Sequence, residues 1–141
     1  KTYFAKKGEI KPNWYVVDAT DKTIGRIATE VSKVLRGKHR PTFTPNQDTG
    51  DYVVVINSEK VKMSGNKWTQ KNYYHHTGYF GGIKENSADK LLGKDAKQII
   101  ESAVGGMMPK TKLGRKQLQK LKAYNGAEHP HTAQKVEALN L

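Results

Sequence analysis

The sequence contains no cysteine and few acidic residues, with 13 Asp and Glu against 25 Lys and Arg in 141 residues. The lack of cysteine excludes disulfides, zinc sites built on thiolates, and cysteine nucleophiles. No run of about 18 or more apolar residues occurs, which argues against a transmembrane helix. The first seven residues have no apolar segment and no small-residue cleavage site, so a signal peptide is not expected.

The shortage of acids leaves a formal net charge of +12, and the basic residues are grouped. No acid occurs between Glu30 and Asp48, between Glu59 and Glu85, or between Glu101 and Glu128, and each gap contains several lysines or arginines. A small protein tolerates such self-repulsion most easily when a polyanion neutralises it. Nucleic acid is the first such partner to consider, and an anionic membrane surface is the second.

The first part of the chain predicts a strand–helix–strand unit. Residues 14–19 form a short apolar and aromatic run typical of a buried strand. Residues 23–36 repeat apolar side chains at the spacing of one helical face, with Thr20 or Asp21 as the expected N-cap and Gly37 as the expected C-cap. Residues 51–57 are a continuous β-branched run that suits a parallel strand covered on both faces. The predicted class is α/β, with a mainly parallel sheet flanked by helices in one domain over residues 1–141 with short extended termini.

The patterns in the second half are weaker. We expect a short strand at 60–65, an extended segment at 71–75 and a loop at 78–82. One short helix should begin at Ser87 or Asp89, and a clearer one should begin at Asp95. A last helix is expected at 113–121, followed by an edge strand at 122–124.

Two enzymatic patterns are present only in fragments. The loop between the first strand and its helix contains one glycine, Gly25, where a pyrophosphate-binding loop needs about three. Asp48-Thr49-Gly50 matches the tripeptide of aspartic proteases, but that site needs apolar neighbours, and Asp51 follows here. A turn before the strong strand is the favoured interpretation of the tripeptide, because Asp and Gly are typical turn residues.

The segment 72–82, N-Y-Y-H-H-T-G-Y-F-G-G, combines aromatic rings, two histidines and three glycines. His75 and His76 are adjacent on a predicted strand and point to opposite faces, so they are poorly placed to ligate one metal ion. Rings of this kind stack on bases or pack on ribose, and neighbouring lysines neutralise phosphates. The segment therefore favours a surface that contacts nucleic acid, with one of Tyr73 and Tyr74 packed inward.

Several short blocks occur in a fixed order along the chain: W-Y-V-V-D-A at 14–19, L-R-G-K at 35–38, D-T-G-D-Y-V at 48–53, Y-Y-H-H-T-G at 73–78, G-M-M-P-K at 106–110 and H-P-H at 129–131. Together these blocks resemble the bacterial L-thirteen family of large-subunit ribosomal proteins. The resemblance implies a structural component of the large subunit that binds ribosomal RNA and supports early assembly. It implies neither catalysis nor a cofactor, and its partners would be large-subunit RNA and neighbouring ribosomal proteins in the cytoplasm.

The expected RNA contacts follow the basic tracts. The first group is Lys38, His39 and Arg40. The second is Lys67, Lys71, His75, His76, Tyr79 and Lys84. The third is Lys110, Lys112, Arg115, Lys116, Lys120 and Lys122, with His129 and His131 as further candidates. The alternatives are a nucleotide-binding α/β enzyme, a messenger-binding regulator outside the ribosome and a protein of the membrane surface, although the helices lack Trp or Phe anchors for the last role.

Overall fold

The computed structural model describes residues 3–6 and 8–139 and shows an α/β fold with two sheets. In chain order the elements are β1 (Trp14–Asp18), α1 (Ile24–Arg36), β2 (Tyr52–Ile56), α2 (Lys67–Gln70), β3 (Asn72–His76), β4 (Ile83–Ser87), α3 (Ala88–Met107), α4 (Lys112–Leu118), β5 (Leu121–Ala123) and β6 (Glu137–Ala138). Four parallel strands form the main sheet in the order β5-β2-β1-β6, and β3 pairs antiparallel with β4. The predicted extended conformation of residues 1–2 and 140–141 lies outside the described residues.

One face of the main sheet packs on the helices and forms the core. Val17 and Val55 are cross-strand neighbours in β1 and β2, and both are fully buried. They belong to one cluster with Ile27 and Val31 of α1 and Ile100 of α3. The strand–helix–strand prediction is confirmed, because the alternating residues of two parallel strands meet the apolar stripe of α1.

The opposite face of the sheet is partly covered by the segment that connects β5 to β6. Trp14 and Tyr52 are cross-strand neighbours on this face, and their rings stack with centroids 4.3 Å apart. His131, from the connecting segment, lies 4.9 Å from the Trp14 ring. This segment must run across the sheet, because β5 and β6 are the two edge strands of the sheet. The predicted edge strand exists as β5, and the two-residue strand β6 has no sequence signal.

The helix predicted for residues 23–36 is observed, but its N-cap prediction is wrong. Thr23, not Thr20 or Asp21, precedes α1. Thr20 instead donates from Oγ1 and from its backbone N–H to Asp18, at 2.7 and 3.0 Å, so the loop is tied back to β1. At the other end Gly37 adopts the left-handed conformation expected of a C-cap, with φ 79°.

The strand predicted for residues 60–65 is also wrong. Asn57 takes a left-handed conformation at the end of β2, and a 3-10 turn at Ser58–Lys60 follows. Lys62 then forms one isolated bridge, to Thr23. The segment meets a loop rather than a strand, so no ladder extends from that bridge.

The hairpin and the later helices largely follow the sequence patterns. The extended segment expected at 71–75 is β3, and the strand β4 that pairs with it was not predicted. Asp95 interrupts α3 with a non-helical backbone and accepts a hydrogen bond from the Lys97 N–H at 3.3 Å, so a second helical segment begins there as predicted. The last helix is shorter than expected and ends at Leu118. Within residues 3–6 and 8–139, no helix has the length and apolarity needed to cross a membrane.

Candidate nucleic-acid interface

Two of the three residues in the first basic group contact a buried carboxylate. Asp51 is fully buried just before β2, and Arg40 donates to both of its oxygens, from Nη2 at 2.5 Å and from Nε at 3.2 Å. His39 Nε2 lies 2.7 Å from Asp51 Oδ2, and the Asn13 N–H donates to Oδ1 at 2.7 Å. Arg40 therefore compensates an internal charge, and His39 contacts the same carboxylate, whereas the side chain of Lys38 is exposed.

Lys120 of the third group is directed inward in a similar way. Its Nζ lies 2.7 Å from Asp48 Oδ1 and 3.0 Å from the carbonyl oxygen of Gly50. The same Nζ is 5.5 Å from the centre of the Tyr52 ring, and only 13% of the side chain is exposed. Lys120 thus closes the turn before β2 and contributes little positive charge to the surface.

The hairpin places two of the predicted contacts directly opposite each other. His75 of β3 pairs with Lys84 of β4, and both side chains are exposed. The alternation expected at the two tyrosines is confirmed, because Tyr73 is half-buried and Tyr74 is exposed. Burial raises the pKa of Tyr73 above its ordinary value.

A groove of about 550 Å³ separates the hairpin from α3. The side chains that line it include Tyr73, His75, Lys84, Asn86, Lys94 and Gln98. No acid is among its lining residues, so the groove combines positive charge with hydrogen-bonding amides. Lys94 and Gln98 were missed from the sequence, although Lys94, Gln98 and Ser102 repeat every four residues and this spacing marks one face of a helix.

Three further members of the second group, in or beside the hairpin, make local contacts. Lys71 Nζ lies 5.3 Å from the centre of the Tyr73 ring, and Lys67 Nζ lies 3.0 Å from Ser64 Oγ. His76 Nδ1 accepts a hydrogen bond from the Gly78 N–H at 2.9 Å. All three of these side chains belong to exposed residues, whose contacts orient them without removing them from solvent.

The third group is centred on α4. Thr111 caps this helix by accepting from the Gly114 N–H at 3.2 Å, and Lys112, Arg115 and Lys116 are exposed. Arg115 lines two grooves of about 330 and 380 Å³, the first shared with Lys122 and the second with Lys110. Arg115 therefore links the groove beside Lys122 with the groove beside Lys110.

The hairpin groove and the α4 grooves are neighbours along α3. Ser102 lines both the hairpin groove and the larger α4 groove. Glu101 lies in the smaller α4 groove beside Arg115. The second and third basic groups, separate in sequence, thus border one surface that extends from the hairpin across α3 to α4. Lys38 lies elsewhere, after the end of α1.

His129 and His131 form a cluster with the aromatic residues of the second sheet face. Their rings lie 6.2 Å apart and nearly parallel, and the Tyr124 hydroxyl lies 2.8 Å from His131 Nε2. Burial lowers the pKa of His131, and the positive charges of His129 and Lys122 lower it further. Within the described ranges, no three His, Asp or Glu side chains come close enough together to hold a metal ion.

Comparison with known proteins shows similarity over the whole length. The sequence model of the family described as Ribosomal protein L13 matches residues 12–130. The chain is 57% identical to a protein of Chromohalobacter salexigens named Large ribosomal subunit protein uL13, and 58% and 54% identical to proteins of the same name from Hahella chejuensis and Syntrophomonas wolfei subsp. wolfei. These alignments cover 100% of this chain and 99%, 99% and 98% of the three relatives.

Proposed function

Since the chain belongs to the ribosomal protein L13 family, we propose that it is a structural component of the large ribosomal subunit that binds large-subunit ribosomal RNA. The family consists of structural ribosomal proteins rather than enzymes, and in bacteria its place is the ribosome in the cytoplasm. The whole chain, residues 1–141, acts in this role as one domain.

The observation that carries the RNA-binding proposal is the basic surface shared by the hairpin, α3 and α4. Lys84, Lys94 and Arg115 line its grooves with exposed cationic groups. Grooves of this kind suit a phosphate backbone, because lysine and arginine neutralise phosphates while amides and backbone groups fix the position of the strand. Exposed Lys112 and Lys116 extend the positive charge along α4.

The other predicted contacts take different roles in this proposal. Lys38 is the RNA contact of the first group, and Arg40 and His39 hold the loop that presents it through their contacts with Asp51. Lys120 closes the turn at Asp48. His129 and His131 lie on the sheet face opposite the helices and form a second, smaller contact.

Hydroxyl-radical footprinting on protein-free large-subunit RNA tests where the RNA lies. Tethering the cleavage reagent at position 94 or 116 should cut the RNA at backbone positions near those that the protein protects. Tethering it at position 30, on α1, is the matched control and should give few cuts at those positions, with its cuts confined to the RNA that Lys38 contacts. Equal cleavage from all three positions would contradict the proposed surface.

Support of subunit assembly and contact with neighbouring ribosomal proteins are the second part of the proposal. A protein that binds one RNA segment on several sides of a rigid fold reduces the freedom of that segment before other proteins join. Cells depleted of the protein should therefore accumulate large-subunit precursors that sediment more slowly than the mature particle. Normal amounts of mature subunits lacking the protein would contradict the assembly role.

A further inference from the structure

The tip of the hairpin holds two aromatic side chains in solvent. Phe80 is fully exposed and Tyr79 is 80% exposed, which makes them the most exposed large hydrophobic residues in the described part of the chain. Ile83, next to the tip, is also exposed. Exposed aromatic residues mark a binding surface when they are grouped, because their apolar area is left uncovered.

The tip is ordered by its own hydrogen bonds. The Gly82 N–H donates to the Tyr79 carbonyl at 2.9 Å, and the Thr77 N–H donates to the Gly82 carbonyl at 2.9 Å. Gly81 has φ 69°, as the third residue of a type II turn requires, and this places Phe80 at the corner of the turn. A Cβ on Gly82 would overlap Thr77 Oγ1, so the turn closes tightly around glycine.

A rigid turn lowers the entropy lost when its side chains bind a partner. The corner position projects Phe80 away from the hairpin, where it cannot contribute to the core. The arrangement thus presents an aromatic ring to something outside the chain at little conformational cost.

The surroundings of the tip identify the chemistry of the partner. The cross-strand pair nearest the tip is His76 and Ile83, and the next pair is His75 and Lys84. This second pair lines the basic groove that continues to Lys94. Residues 60–84 contain no acid. A flat ring beside a cationic groove matches a nucleotide, whose base stacks and whose phosphate is anionic. An apolar protein surface would gain nothing from the positive charge.

We propose that Phe80, with Tyr79, stacks on an unpaired base of the bound RNA while the phosphates of the same strand enter the groove between the hairpin and α3. This inference rests on the proposed RNA binding and deepens it. It assigns the hairpin tip to unpaired nucleotides, because bases within an RNA helix are already stacked on their neighbours.

Binding of purified variants to protein-free large-subunit RNA over a range of salt concentrations tests the inference. Phe80→Ala should weaken binding roughly 5- to 150-fold, the range for removal of one base stack. The salt dependence should not change, because the lysines that neutralise the phosphates are all retained. Phe80→Trp should keep the affinity, and Phe80→Leu should lose most of it, because leucine is apolar but has no ring.

Two controls separate stacking from other effects. Phe4→Ala removes another exposed aromatic ring, remote in sequence from the hairpin, and should leave binding unchanged. Lys84→Ala combined with Lys94→Ala should make the slope of log affinity against log salt shallower by about 1.4, at about 0.7 for each single-strand phosphate. The opposite pattern, in which Phe80→Ala alters the slope and the lysine pair does not, would overturn the division of roles.

The outcomes also distinguish this inference from the proposed function. If the unaltered protein binds the RNA and Phe80→Ala binds equally well, the stacking role is wrong and the tip serves another partner, while RNA binding stands. Retained affinity in Phe80→Leu would likewise overturn stacking in favour of a simple apolar contact. If the unaltered protein does not bind, the proposed function itself fails.

Discussion

Arg40 forms a two-point ion pair with Asp51, donating from Nη2 and Nε to the two carboxylate oxygens at 2.5 and 3.2 Å. The carboxylate is fully buried and the arginine side chain is 21% exposed. Arg40 also donates to the Lys11 carbonyl at 3.1 Å. One arginine thus joins the N-terminal segment, the loop after α1 and the start of β2.

Arg40→Ala should destabilise the protein by about 3–5 kcal/mol, because it leaves a buried carboxylate without its principal partner. Urea unfolding measures the effect. Lys38→Ala, an exposed charge two residues away, should change stability by less than about 0.5 kcal/mol and weaken RNA binding instead. Unchanged stability in Arg40→Ala with weakened RNA binding would place Arg40 in the interface rather than in the fold.

Gly50→Ala should prevent close contact between the turn before β2 and the end of α1. A Cβ at this position would overlap the carbonyl oxygen of Leu35, a backbone atom that cannot move aside alone. The expected reduction is about 3 kcal/mol or more in the free energy of unfolding. The matched control is Gly25→Ala in α1, where nothing lies within 4 Å and a gain of up to about 1 kcal/mol is expected. Equal stability of the two variants would contradict the packing described for Gly50.

Arg115→Ala combined with Lys116→Ala should weaken the salt dependence of RNA binding. The slope of log affinity against log salt should become shallower by about 1 for each phosphate that is no longer neutralised. The control removes the same charge elsewhere, by Lys33→Ala with Lys62→Ala, two lysines that pair with Glu30 and Asp21. The control should leave the slope close to that of the unaltered protein. Equal slopes for the two double variants would show that net charge, not the α4 surface, governs binding.

His131 should make stability fall as the solution becomes more acidic. Burial and nearby positive charge hold its pKa below the ordinary value of 6.5 in the folded protein. Below about pH 6.5 the unfolded chain therefore takes up the proton first, and the folded state loses stability as the pH falls towards the lowered pKa. Above that range the contribution of neutral His131 is fully present.

The stability difference between the unaltered protein and His131→Asn should consequently be greatest near pH 8 and smaller near pH 5. Urea unfolding at a series of pH values measures it. A difference that grows as the pH falls would mean that the protonated imidazole is favoured in the folded state, contrary to the surroundings of His131.

The elements that could be predicted from sequence are those whose signal is local. The apolar stripe of α1, the β-branched run of β2 and the glycine after Arg36 each determine their structure through neighbours in the chain. The break at Asp95 was also predictable, because an aspartate that begins a helix has a local signature. The strand β4 lacks such a signal, because its extended conformation depends on hydrogen bonds to β3.

The candidate site was predicted only in part, because sequence shows charge but not its partners. Arg40 and Lys120 cannot be told apart from the other basic residues in the sequence, yet each forms an ion pair with a carboxylate. Arg40 pairs with Asp51, and Lys120 pairs with Asp48, which lies far away along the chain. Lys94 was missed because its groove exists only when the hairpin lies beside α3. Such contacts between distant segments depend on the complete fold.

Competition binding separates specific recognition of large-subunit RNA from attraction by net charge alone. The purified protein would be bound to protein-free large-subunit RNA at roughly physiological salt, with a large excess of small-subunit ribosomal RNA as competitor. At this salt concentration, non-specific binding typically has a Kd of about 10⁻⁴–10⁻⁶ M. We expect binding to survive the competitor, because the basic surface is proposed to recognise one site in large-subunit RNA. Loss of binding in proportion to the competitor would contradict it, because the charge of +12 would then explain the affinity without a specific site.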